Sequence, residues 1–239
     1  MKPYNQEQTK KEQVEQMFDN IAPTYDKLNH ILSLNIDRIW RRRVMRIVRR
    51  SQPKSIMDVA TGTGDLAIAM AKRVEGAHIL GVDLSEEMLQ VARTKINRLA
   101  LEERIEVSKG DAENLSFVAS DSIDAATVAF GVRNFENLEG GLSEIYRTLK
   151  SGGKFVVLEF SIPRNRFIRW VYAQYSHRLL PRIGAMLSKD RKAYDYLPDS
   201  VEEFPAPERF AEILRGVGFK DIKLRSQSFG IAYIYEATK

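Results

Sequence analysis

The stretch MDVATGTGDLA, Met57 to Ala67, runs from an apolar strand into a glycine-rich turn and then a helix opening at Asp65. Gly62-x-Gly64-x-x-Ala67 satisfies a loose form of the dinucleotide fingerprint, and Asp83 closes the next apolar run about 20 residues on. Glycines let the backbone approach a ligand, and a carboxylate after the second strand accepts hydrogen bonds from both ribose hydroxyls. The turn alone leaves three readings open: a dinucleotide pyrophosphate, a nucleoside, or a tight corner that binds nothing.

Outward from this turn, short β-rich runs alternate with helical ones. SIMDVA, AHILGVD, RIEVSKGDA, SIDAATVAF and KFVVLEF read as strands. Between them lie a helix over residues 65–74, one opening at the N-cap Ser85, and NLEGGLSEIYRTLKSGG, expected to end at Gly152–Gly153. That alternation predicts a parallel, doubly wound sheet with right-handed crossovers. After the helix PERFAEILRGVGF, the runs KDIKLRSQ and GIAYIYEAT are separated only by a short turn. They must pair as a hairpin, which puts an antiparallel strand near the sheet edge. Two segments stand outside the alternation: residues 1–52, read as an N-terminal helical cap, and a Pro-punctuated helical insertion at about 161–200 within a domain spanning 53–239. Both are placed over the C-terminal ends of the strands.

Composition narrows the chemistry. The 239 residues contain no cysteine, which excludes disulfides and thiolate catalysis and is compatible with a reducing cytosol. The three histidines, at 30, 78 and 177, have no metal-ligand spacing, so no metal site is expected. The N-terminal residues lack the apolar core of a signal peptide, and no run is long enough to span a membrane. Net charge is +5, unevenly spread: basic residues dominate 1–52 and 161–193, whereas acids dominate the block between.

Three features separate the ligand readings. Asp65 after the second glycine would repel a pyrophosphate but suits a ligand carrying an amino group and a sulfonium. GDAENL after the third strand puts Asp111 and Ala112 where an adenine ring can be read, an acid for the exocyclic amine beside a small residue. The terminal antiparallel hairpin is unusual in hydride-transfer domains and regular in S-adenosylmethionine-dependent methyltransferases. Together these favour S-adenosylmethionine over NAD, although Asp83 and Asp111 could each merely cap a turn or helix.

At this point the chain resembles a specific family. VEQMFDNIAPTYDKLNHILSLNIDRIWRRR, DVATGTGDLA, GVDLSEEML, GDAENLSF, FGVRNFEN, YRTLKSGGKFVVLEFS and LLPRIGAMLSKDRKAYDYLPDSVEEFP resemble, in order, the ubiquinone/menaquinone-biosynthesis C-methyltransferases, from about residue 14 to the C-terminus. The resemblance implies a class I S-adenosylmethionine-dependent methyltransferase: α/β, Rossmann-like, a seven-stranded mostly parallel sheet with the last strand antiparallel, plus a helical cap. It implies methylation of a ring carbon of a polyprenylated quinol, either demethylmenaquinol or the methoxy-benzoquinol of ubiquinone synthesis. The cofactor residues it implies are Gly62, Thr63, Gly64, Asp83, Asp111 and Ala112. The sequence departs from the family pattern at Ala129, where Ser is frequent, at Asp37, where His is frequent, and at Ser151, where Pro is usual. Asp37 cannot supply an imidazole base.

Carbon methylation needs an electron-rich ring, which a quinol supplies when a hydroxyl loses its proton. With a phenol-like pKa near 10, ionisation at neutral pH costs roughly 4 kcal/mol, which a base or cation must offset. Arg133 and Asn134, after the fourth strand, are the candidates for stabilising the phenolate and orienting an oxygen; the competing reading of Arg133 is a structural ion pair. Tyr25, Asp26 and Asn29 are candidates for closing over the substrate, and Asp26 or His30 for accepting the proton. IDRIWRRRVMRIVRR is a basic amphipathic helix with apolar positions 36, 40, 44, 47 and 48. It either lies on anionic lipid or packs its apolar stripe on the sheet. RFIRWVYAQYSHRLLPRIGAML mixes aromatics with arginines and could line a groove for a prenyl tail. The expected partners are thus a polyprenylated quinol and an anionic membrane surface, with no nucleic acid, and a homodimer is compatible with the sequence. The expected location is cytoplasmic, with peripheral attachment at the inner face of the membrane left open. A nucleic-acid methyltransferase, suggested by pI 9.3, competes but lacks an attached binding module and an acidic–Pro–Pro–aromatic tetrad.

Overall fold

The structure is a computed structural model that describes residues 2–4, 7–26, 33, 35–175 and 191–239. Among these, seven strands form one sheet: β1 (Ser55–Val59), β2 (His78–Asp83), β3 (Ile105–Lys109), β4 (Ile123–Ala129), β5 (Leu149–Phe160), β6 (Lys220–Gln227) and β7 (Ala232–Thr238). Their order is β3-β2-β1-β4-β5-β7-β6. Strands β1 to β5 are parallel, and β7 pairs antiparallel with both β5 and β6. The seven strands, the parallel block and the antiparallel last strand agree with the pattern read from the sequence. Strand order reverses between β1 and β4, the switch point at which open α/β sheets form a ligand crevice.

Eight helices are described: α1 (Lys10–Ile21), α2 (Ile36–Arg50), α3 (Asp65–Ala71), α4 (Glu86–Arg98), α5 (Leu138–Thr148), α6 (Arg166–Gln174), α7 (Arg191–Glu203) and α8 (Pro207–Val217). Alternation along the strands sends Ile56, Ala125, Val156 and Ile234 to one face, under α2, α3 and α4. Met57, Ala126, Phe155 and Tyr235 go to the other, under α5 and α8. A third, smaller cluster joins Val14, Met17 and Ile21 of α1 to Ala193 and Tyr196 of α7 and Met88 of α4.

This arrangement divides the segment read as a cap over residues 1–52. Helix α1 does cover the strand ends, whereas α2 belongs to the sheet's own helical layer. Trp40, Val44, Ile47 and Val48 are buried in the same cluster as Ile56 and Leu158. Burying each such side chain contributes roughly 1.5–3 kcal/mol, so the apolar stripe of α2 is used within the fold and is not offered to lipid. Of the insertion, residues 176–190 lie outside the described residues, as do Asn29 and His30.

Helix ends follow local chemistry. Thr9 and Glu12 form a capping box at α1, and the Ser85 hydroxyl accepts from the Met88 N–H at the start of α4. Helix α5 stops at Thr148, four residues before the expected Gly152. Leu149 is extended and fully buried, and residues 149–153 already belong to β5. Burial of Leu149 against the sheet, rather than glycine, ends that helix. Helix α3 likewise ends at Ala71, short of the expected residue 74.

Candidate active site

The turn after β1 is built on left-handed backbone at Ala60, Gly62 and Gly64, with φ of 52°, 57° and 78°. A Cβ on Gly62 would meet nothing within 4 Å, so this glycine leaves open space beside the backbone. A Cβ on Gly64 would press on Ala92 of α4 at 3.2 Å, so this one serves helix packing. Below the turn, the buried Asp58 accepts hydrogen bonds from the Thr61 and Thr127 hydroxyls, at 2.7 and 2.5 Å. Burial pushes its pKa up to about 6, against the pull of those two hydroxyls. Asp58 is a fastening for the turn that the motif reading did not single out.

A first cavity lies along the ends of β1, β2, β3 and β4. Gly62, Asp83, Asp111 and Ala112 line it, together with Leu84, Gly110 and Phe135. Asp83 Oδ2 accepts from the Gly62 N–H at 2.7 Å and Oδ1 from the Ser85 N–H at 3.0 Å, and the Leu84 N–H also acts on this carboxylate. Burial raises its pKa to about 6, opposed by those backbone donors. Asp111 accepts from the Glu113 N–H at 2.9 Å and from Lys11 Nζ at 2.8 Å. A paired-hydroxyl acceptor, an acid beside the small Ala112, and a turn without side chain at Gly62 fit an adenosine with a sulfonium tail.

Thr63 and Gly64 do not line this cavity. The buried Thr63 hydroxyl donates to Asp26 Oδ1, and Lys95 Nζ bridges Asp26 at 2.8 Å and Asp65. Asp65 is therefore held by a lysine and lines neither cavity. These four residues fasten the N-terminal segment to the glycine turn.

A second cavity, of about 280 Å³, lies between the strand ends and helices α1, α2, α6 and α7. It is walled by Phe18, Tyr25, Trp40, Phe130, Phe160, Tyr172, Tyr175 and Tyr196, with Arg133 and Asn134 at the sheet side. Phe18, Tyr25, Phe130 and Asn134 line both cavities, so the two meet there. Phe130 holds a left-handed φ of 62° at the end of β4, and its ring stacks on Phe160 at 4.5 Å. Non-glycine strain of this kind costs of order 1–3 kcal/mol and clusters at functional sites. Each ring also faces a guanidinium: Arg41 over Phe130 at 5.7 Å and Arg133 over Phe160 at 5.6 Å.

Of the four described residues among those expected to act on substrate, Tyr25, Arg133 and Asn134 converge on this cavity, and Asp26 does not line it. Asn134 Oδ1 accepts from the Tyr196 hydroxyl at 3.2 Å. Burial pushes Tyr196 and Tyr172 up to about 12, so both stay neutral around physiological pH. Arg133 is ion-paired with Glu159 at 2.7 Å, with side chains 6% and 0% exposed. The competing structural reading of Arg133 and the cavity reading hold together: it is paired, and it faces the cavity. Asp37, the departure from the family's frequent His, is buried in the cavity wall, hydrogen-bonded by Ser33 and ion-paired with Arg41.

Sequence reasoning missed Glu159, Trp40 and Tyr196. A signal existed for the first: KFVVLEF carries one acid in a run otherwise suited to a strand buried on both faces, where a charge needs a partner. Among the described residues no group of three His, Asp or Glu could hold a metal, and no helix is long and apolar enough to cross a membrane.

Comparison with known proteins follows the same lines. Against solved structures, an S-adenosylmethionine-dependent methyltransferase from Aquifex aeolicus aligns with a TM-score of 0.57 at 18% identity, covering 77% of this chain and 81% of that one. The cyclase SpnF aligns with a TM-score of 0.69 at 17% identity, covering 97% of each chain. These likenesses establish the fold, and the cyclase illustrates that the fold alone does not fix the reaction. A demethylmenaquinone methyltransferase of Bacteroides fragilis is 47% identical over 239 residues, 100% of this chain and 97% of the relative. A ubiquinone/menaquinone biosynthesis C-methyltransferase of Geobacter sulfurreducens is 44% identical over 231 residues, 96% of this chain and 90% of the relative. The model of the ubiE/COQ5 methyltransferase family matches residues 6–239, and the chain belongs to that family of S-adenosylmethionine-dependent enzymes.

Proposed function

We propose that this chain methylates a ring carbon of demethylmenaquinol, with S-adenosylmethionine in the first cavity and the quinol ring in the second. The observation that carries the reading is that the two cavities share Phe18, Tyr25, Phe130 and Asn134, with Arg133 beside them. S-adenosylmethionine, when bound, supplies an electrophilic methyl group on sulfur. Asp83 would hold its ribose hydroxyls, Asp111 and Ala112 its adenine, and Gly62 gives its backbone room. The aromatic walls hold the quinol ring and exclude water from it. Arg133 keeps one guanidinium nitrogen, Nη2, without a partner among the described residues, and this nitrogen offsets the cost of ionising the quinol hydroxyl. Asn134, oriented by Tyr196, directs its amide N–H groups to a quinol oxygen.

The relatives' names include demethylmenaquinone methylation and ubiquinone/menaquinone biosynthesis. The 47% relative favours demethylmenaquinol, and the methoxy-benzoquinol of ubiquinone synthesis is the second reading. Anaerobic reactions with labelled S-adenosylmethionine and each quinol separately decide between them. We expect at least about tenfold higher kcat/KM for demethylmenaquinol; transfer to neither would sink the reading.

The same reading includes a membrane surface, at a different place from the basic helix. Phe167, Trp170 and Val171 of α6 are exposed, as is Phe229 at 81%. Arg166 and Arg169 lie on the same helix. Tyr172 and Tyr175, on or next to α6, line the quinol cavity. Aromatics with arginines suit an anionic lipid interface, and α6 would then lead a prenyl chain from bilayer to cavity.

A further inference from the structure

Glu159 is the last residue but one of β5, and its side chain is fully buried. Its Oε1 accepts from Arg133 Nη1 at 2.7 Å and from the Phe160 N–H at 2.9 Å, and its Oε2 from the Arg133 N–H at 3.3 Å. Arg133 Nη1 also donates to the Phe130 carbonyl at 2.6 Å, and Nε to the Ser200 hydroxyl of α7 at 3.2 Å. Two guanidinium nitrogens are thus tied down, Nη2 has no partner among the described residues, and Arg133 lines the aromatic cavity. A guanidinium donor left open beside a cavity is available to an oxygen of a bound ring.

From this geometry we infer that Glu159 is a positioning residue. It turns Arg133 so that Nη2 points at the reacting oxygen, and its charge sets how strongly Arg133 draws negative charge onto that oxygen. The inference rests on the quinol reading of the second cavity. The other ionisable groups that interact with Arg133 are Tyr25, Tyr172 of α6, Tyr196 of α7 and Lys10 of α1, and Glu203 of α7 acts on Tyr196 and Lys10. Lys10 Nζ donates to the Arg133 and Phe135 carbonyls at 3.0 and 2.8 Å. Tyr172 and Tyr196 stay neutral through the working range, so Glu159 is the anion in direct contact with the guanidinium.

The test compares wild type with Glu159→Gln, which keeps shape and an acceptor but removes the charge, and Glu159→Asp, which keeps the charge but shortens the reach. 1-Naphthol, whose ionisation is visible in its absorption, serves as a ring probe. We expect Glu159→Gln to lower the pKa of bound 1-naphthol by about one unit, because Arg133 loses its counter-charge. The acid limb of the kcat/KM profile for quinol methylation should move the same way. Glu159→Asp should return the limb toward its wild-type position while kcat falls roughly tenfold and KM changes less. If Glu159→Gln leaves both the naphthol pKa and the limb within about 0.2 unit, and activity falls only in step with thermal stability, the inference is overturned. Should wild type methylate no quinol while the naphthol pKa still moves, the positioning role stands and the substrate reading fails.

Discussion

Lys11 of α1 reaches to Asp111 at the rim of the first cavity, Nζ to Oδ2 at 2.8 Å. Three further contacts continue along the same segment: Glu15 with Lys109 at 2.7 Å, Asp19 with the Ser85 hydroxyl at 2.6 Å, and Asp26 with Lys95 at 2.8 Å. Residues 11–26 are thereby strapped across the ends of β3, β2 and β1. Such partly exposed pairs are worth about 0–1 kcal/mol each and weaken with salt. Lys11 of this strap lines the first cavity together with Asp111, so loosening the strap should ease passage of the cofactor. Lys95→Ala and raised salt should each speed S-adenosylhomocysteine release severalfold, read by stopped-flow fluorescence. Release rates independent of both would remove the strap from the account.

Arg133→Ala should lower kcat/KM for quinol methylation by on the order of a hundredfold or more, as removal of a transition-state donor does elsewhere. S-adenosylhomocysteine affinity should stay within about twofold, because Arg133 lines only the second cavity. Arg133→Lys should recover little, since an ammonium cannot fill the forked contacts to Glu159, Phe130 and Ser200. Equal loss of cofactor binding and turnover in a titration calorimetry and rate comparison would contradict this.

Asp83 gives the cofactor site a pH dependence. Its pKa is raised by burial to about 6, so the folded protein carries a cost for holding it ionised above that pH, and the cost vanishes as the pH falls. Cofactor binding runs the other way, because ribose hydroxyls donate to the ionised form. Affinity should be full above pH 7 and decline as pH falls through about 6. Asp83→Asn should flatten that slope and, at pH 8, weaken S-adenosylhomocysteine binding by roughly ten- to a hundredfold. Calorimetric titrations between pH 5 and 8 measure both effects; a wild-type curve flat across pH 6 would refute them.

Phe167 and Trp170 are 71% and 60% exposed, so replacing both by Ser should leave the thermal midpoint nearly unchanged. Sedimentation with anionic vesicles should fall severalfold, and a pair of substitutions on α2, Arg42→Ala with Arg46→Ala, should matter less. Unchanged vesicle binding in the α6 variant would move the membrane face elsewhere.

Much of this architecture is legible in the sequence because it is periodic. The strand runs, the glycine turn and Asp83 fall where alternation and spacing put them, and the terminal hairpin follows from a turn too short for a crossover. Helix α2 is different. Its stripe of Ile36, Trp40, Val44 and Val48 suits lipid and sheet equally, and only packing on β5 and β7 decides. The candidate site divides the same way. Arg133 and Asn134 are readable as residues after a strand, but the pairing of Arg133 with Glu159 links two strand ends 26 positions apart. Asp65 and Asp26 read as ligand-facing acids because sequence does not reveal that Lys95, one turn from the end of α4, comes between them.

The account turns on two cavities meeting so that a methyl group reaches a ring carbon beside Arg133. The most direct measurement supplies wild-type protein with S-adenosylmethionine labelled by carbon-13 on its methyl, together with demethylmenaquinol under anaerobic conditions, and locates the label by NMR. The account predicts a methyl on the ring carbon next to a hydroxyl-bearing carbon. A label on a quinol oxygen, as a methyl ether, would contradict it.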